Sequence, residues 1–135
     1  MKAHASVIVA SLFALVLLTA CGGGGASTTI NVSLIDFQFS PNTFTVPAGK
    51  EITINVINNG AVVHDFVIMK HGTTVGESYD DEDLPNVYWK IEVQPGKRTS
   101  ATFTAPSEPG EYQVVCGTKG HFQSGMIAKL TVVAQ

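Results

Sequence analysis

Residues 116–126 read Cys116-Gly-Thr-Lys-Gly-His121-Phe-Gln-Ser-Gly-Met126, a thiol, an imidazole and a thioether with four residues between each and the next. A loop that leaves one strand at Cys116 and enters another near Met126 curls around one point, so its three donors converge unaided. Thiolate and thioether are soft donors; with two imidazoles they make the trigonal His2Cys set with a weak axial Met that holds copper for electron transfer. Three donors on one loop leave one side open, and His64 is the candidate to close it. In Asn58-Asn-Gly-Ala-Val-Val-His64-Asp-Phe-Val-Ile68 a turn signal gives way to an apolar, β-branched run, which predicts a strand beginning at the histidine. Taken singly, each donor has a plainer account: a cysteine before glycine is often a small buried hydrophobe, a histidine a surface or hydrogen-bonded core residue, and Met126 ordinary core. Four suitable donors, three in one short loop, are not explained that way.

The flanking sequence is strand-like throughout. Ile30, Val32 and Leu34 alternate with Asn31, Ser33 and Ile35. A second strand starts near Phe37, passes Ser40-Pro41-Asn42 as a turn or bulge, and continues through Val46. Pro47-Ala-Gly-Lys50 leads into Glu51–Ile57, and Asn58-Asn-Gly60 ends that run. Residues 71–87 break the rhythm and predict a loop with a short helical turn. Strand patterns return at Tyr88–Val93, Thr99–Thr104, Glu111–Val115 and Met126–Val133. About seven or eight short strands without a helical period predict an all-β, Greek-key sandwich or barrel.

The loop, the upstream His64-Asp-Phe66 and the lead-in Phe103-Thr-Ala-Pro106-Ser-Glu-Pro-Gly110-Glu-Tyr112-Gln-Val-Val-Cys116 resemble the cupredoxins, the small blue-copper family. The four-and-four loop spacing is most similar to the auracyanin branch. The resemblance covers about Thr28 to Gln135. It implies one type 1 copper held by His64, Cys116, His121 and Met126. It also implies that His121, with Phe122 beside it, is the electron port, and that Asp65, Gly117 and Thr118 are neighbours tuning the site. Asp65 stands where relatives often carry Asn, and Gly117 where they often carry Thr or Ser. Lys119 replaces a familiar Pro and sets a cation near the port. Met69 and His71 are spare donors, expected in the core and at the surface respectively.

The N-terminus predicts export. Lys2 precedes an apolar run from Val7 to Leu18, and Leu18-Thr-Ala-Cys21 resembles the lipobox of bacterial lipoproteins. The expected organisation is a signal peptide at 1–20, a lipidated Cys21 with a Gly-rich tether at 21–28, and a copper domain at 29–135. A plain secretory leader or a membrane helix are the alternatives, although the run is short for a span of about 20 residues. A lipid anchor would hold the domain on the extracytoplasmic face of a bacterial membrane.

Only Lys2 among the Lys and Arg residues precedes Cys21, so the processed chain is acidic, and no basic patch suggests nucleic acid. The cluster Glu77, Asp80, Asp81, Glu82 and Asp83 is either a solvated face or a steering surface for a basic cytochrome. The expected activity is one-electron transfer, not enzymatic turnover, by a monomer working between membrane-bound redox complexes or cytochromes. The alternative is a module that stores or delivers copper. Multicopper catalysis would need further histidines, and outside the leader only His71 is spare.

Overall fold

The computed structural model describes residues 25–135, so the expected leader and Cys21 lie outside the described residues. The described residues form nine strands: β1 Thr29–Ile35, β2 Gln38–Ser40, β3 Thr43–Pro47, β4 Glu51–Asn58, β5 His64–Met69, β6 Val87–Val93, β7 Arg98–Thr104, β8 Gly110–Val115 and β9 Ile127–Val133. They form two sheets, ordered β2-β1-β4-β7 and β3-β9-β8-β5-β6. The pairs β1/β4 and β3/β9 are parallel and the remaining pairs antiparallel. The all-β architecture matches the expectation, but the strand count exceeds it by one. Residues 37–46, read as one interrupted strand, divide into β2 on one sheet and β3 on the other. The division falls at Pro41, which has no N–H to give a ladder.

Ile30, Val32 and Leu34 of β1 and Ile52, Ile54 and Val56 of β4 face Val46, Ile68, Val114, Leu130 and Val132 of the other sheet. Phe66 is fully buried there, edge-on to Phe39 and Phe44 at centroid distances of 5.6 and 5.5 Å. Strand β5 departs from simple alternation because both its faces are covered. Val67 and Met69 point outward into a second cluster with Val75 and Val115, against which Tyr79, Val87 and Phe122 pack.

The segment covering that face contains a 3-10 helix, Asp81–Asn86, as the broken rhythm predicted. Part of the acidic cluster caps it. Asp80 accepts the Glu82 N–H at 2.9 Å and Asp83 accepts the Asp80 N–H at 3.0 Å. Strands β5 and β8 are antiparallel with Val67 opposite Val115, and β8 and β9 pair Val115 with Ile127. His64, Cys116 and Met126 therefore lie at one end of the second sheet.

Candidate metal centre

The loop from Cys116 to Met126 is closed by its own backbone. The Cys116 N–H donates to Met126 O at 3.3 Å, His121 N–H to Thr118 O at 3.0 Å, and Met126 N–H to His121 O at 3.0 Å. Gly120 and Gly125 take φ of 84° and 90°, turns that side chains disfavour. Thr118 ties the loop to the His64 segment by donating its hydroxyl to Val63 O at 2.7 Å. The structure thus gives Thr118 a definite tethering contact beside the donors.

Cys116, Met126 and His64 are fully buried, and His121 is 7% exposed. Cys116 Sγ lies 3.7 Å from His121 Nδ1 and accepts the Asp65 N–H at 3.5 Å. The His64 and His121 rings are tilted, with centroids 4.9 Å apart. Among the described residues no three His, Cys, Asp or Glu side chains form a finished cation cage. His64 Nδ1 faces Asn58 Oδ1 at 3.0 Å. Asn58 donates through Nδ2 to Val62 O and Val93 O, both at 2.8 Å, which fixes Oδ1 as the acceptor and Nδ1 as the donor. His64 Nε2 is then a buried nitrogen without a hydrogen-bond partner. Asp36 Oδ1 stands 3.5 Å from it, without a hydrogen bond.

Burial, then the neighbouring His121, hold His64 below the ordinary histidine pKa, while Asp36 pulls the other way. A neutral imidazole with an unpartnered nitrogen is what a metal requires. Burial raises the Cys116 thiol above its ordinary value, against hydrogen bonds from Thr118 and the Asp65 N–H. The thiol of the metal-free protein is therefore protonated at neutral pH. Metal uptake at pH 7 should release about one proton, readable as buffer-dependent heat in titration calorimetry. Uptake without proton release would mean that the sulfur does not bind.

Asp65 and Gly117 are one adjustment. A Cβ at residue 117 would stand 2.7 Å from Asp65 Oδ2 and 2.9 Å from Tyr79 Cε1, too close for either to remain in place. Burial, then Glu92, raise the Asp65 pKa, with Lys90 opposing. Tyr79 has a buried hydroxyl without a partner, and burial followed by Asp65 raises its pKa. Gly117→Ser should destabilise the protein by about 1–3 kcal/mol through overpacking, measured by urea unfolding; an unchanged midpoint would show that Asp65 and Tyr79 yield freely.

Phe122, expected beside the port, is half-buried and packs into the second cluster. Phe37 is the aromatic ring against His121, edge-on at 5.0 Å between centroids. No periodicity pointed to Phe37, Asp36, Asn58 or Tyr79; among them only the turn signal Asn58-Asn-Gly60 was visible. The spare donors lie elsewhere: Met69 is core, and His71 faces Glu108 at 3.0 Å with its ring against Tyr112.

Residues 8–132 match the family model of the cupredoxin-like domain. The chain belongs to the cupredoxin-like family. It is 32% identical over 102 residues to plastocyanin of Mercurialis perennis, covering 72% of this chain and 89% of that relative. With the copper-resistant cuproprotein CopI of Rubrivivax gelatinosus it shares 27% identity over 114 residues, 79% of this chain and 67% of the other. Among solved structures, reduced auracyanin of Roseiflexus castenholzii superimposes with a TM-score of 0.68 at 30% identity, covering 81% of this chain and 99% of that one. The two-sheet cupredoxin architecture is thus common to this chain and auracyanin.

Proposed function

We propose that this cupredoxin is a one-electron carrier with a single type 1 copper held by His64, Cys116, His121 and Met126. The observation that carries the reading is the buried contact of Cys116 Sγ with His121 Nδ1 at 3.7 Å, beside a second buried imidazole with an unpartnered nitrogen. The donors fit copper on their chemistry: thiolate and thioether suit the reduced metal and imidazole both states. Copper, when bound, supplies the one-electron couple. The protein supplies a stiff frame around it. The loop's backbone bonds, the Thr118 tether and the Asp65 N–H on the sulfur limit movement between oxidation states. Burial excludes water from the sulfur. His121 is the donor edge nearest the surface and serves as the port.

The proposed setting is a Cys21 lipid anchor on the extracytoplasmic side of a bacterial membrane, with membrane-bound redox complexes or cytochromes as partners. Support comes from the leader pattern in the sequence. Mass spectrometry of the membrane fraction tests it, an acylated Cys21 being expected and an unmodified mature N-terminus contradicting it.

A carboxylate near the metal favours the oxidised state. Asp65 contacts the cysteine through its own N–H and crowds Gly117, so Asp65→Asn should raise the reduction potential. Voltammetry of the two proteins checks this, and equal potentials would reject it. The carrier reading itself is tested by voltammetry of the copper-loaded protein, where a reversible one-electron wave is expected. The CopI relatives favour a second reading, a copper-holding module. It predicts ready exchange of copper with a chelator and no fast electron exchange.

A further inference from the structure

The turn between β1 and β2 contributes no donor to the proposed set, yet it touches both histidines. Asp36 Oδ1 lies 3.5 Å from His64 Nε2, and the Phe37 ring stands edge-on to His121. Two features hold these residues in place. Phe37 takes φ of 66°, the left-handed region that a bulky side chain disfavours, and the residue is 51% exposed. The two-residue turn between the paired Ile35 and Gln38 calls for a positive φ, and it sets the Phe37 ring against His121 instead of in the core. Asp36 is fixed by the Ala61 N–H, 3.1 Å from Oδ1 and 3.3 Å from Oδ2. Gly60 leaves the space, because a Cβ there would stand 2.6 Å from Asp36 Oδ1 and would also fall on the His64 ring.

We propose that this turn is a wall of the metal centre, with Asp36 as an anion beside the His64 nitrogen left for the metal and Phe37 as the cover of His121. The proposal rests on the copper reading above. Groups just outside a metal's own ligands orient those ligands and set the local charge, and losing one lowers metal affinity about ten- to a hundredfold. Asn58 Oδ1 takes the Nδ1–H and orients the ring, while Asp36 Oδ1 stands 3.5 Å from Nε2, the nitrogen left for the metal. The carboxylate takes no hydrogen bond from the ring; its charge favours a cation on Nε2. Phe37 packs edge-on against the His121 ring, a contact that slows loss of the metal.

The test compares the full chain with its Asp36→Asn and Phe37→Gly variants. It uses chelator competition for Cu(II) and redox-inactive Zn(II), voltammetry, and urea unfolding of the apo-proteins. Asparagine keeps an oxygen for the Ala61 N–H, so the Asp36→Asn unfolding midpoint should hold. Its affinity for both cations should fall about tenfold, with the copper potential shifted upward. Glycine accepts φ of 66°, so the Phe37→Gly midpoint should hold or rise while a chelator strips copper several-fold faster. Unchanged affinity and potential in Asp36→Asn, or unchanged stripping in Phe37→Gly, overturns the proposal. Failure of the unsubstituted chain to bind one copper would overturn the copper reading as well, and that result appears before any variant is examined.

Discussion

Cys116→Ser is expected to abolish the blue colour of the oxidised, copper-loaded protein together with its reversible wave, while the circular dichroism of the fold persists. On the proposed type 1 reading the colour would arise by charge transfer from the cysteine sulfur, and a serine hydroxyl is a hard donor that stays protonated where a metal-bound thiol does not. The substitution removes little volume from a fully buried position, so the strands around it remain. His71→Ala is the companion measurement. That ring lies against Tyr112 and faces Glu108, outside the donor set, so its removal should leave the band unchanged. A coloured Cys116→Ser protein would assign the chromophore to another residue.

Phe66→Ala should cost about 3–5 kcal/mol of unfolding free energy, a large share of the roughly 5–15 kcal/mol that holds a domain of this kind together. The ring is fully buried, edge-on to both Phe39 and Phe44, and its loss leaves a void where strands from both sheets meet. It also sits two residues after His64, so copper should bind more weakly to the variant. Leu84→Ala, at an exposed position on the 3-10 helix, should change stability by no more than about 0.5 kcal/mol. Urea unfolding of the apo-proteins measures both. A small loss in Phe66→Ala would mean that the core collapses readily into the space.

What the sequence carried and what it withheld follow from the range of each interaction. Burial alternates with period two in β1, β4 and β9, so Ile30, Ile52 and Leu130 could be placed from pattern alone. The Cys116–Met126 loop was equally readable because its contacts are local. The division of residues 37–46 was not, since both halves look strand-like and only their partners, β1 and β9, show that they belong to different sheets. Strand β5 read simply as an apolar run; its two-sided burial depends on Val75, Tyr79 and Phe122, distant in sequence. Asp36 and Phe37 reach the histidines only because β1 pairs in parallel with β4, across a separation that no periodicity reports. Asp65 and Gly117 were each visible as departures from the family pattern, but their mutual contact required coordinates.

The most direct measurement is anomalous diffraction at the copper edge from crystals of the copper-loaded chain. One copper is expected, bonded to Cys116 Sγ and to one nitrogen each of His64 and His121, with the Met126 sulfur as a longer fourth contact. Copper seated elsewhere, at the His71–Glu108 pair for example, or bound without Cys116, would contradict the account.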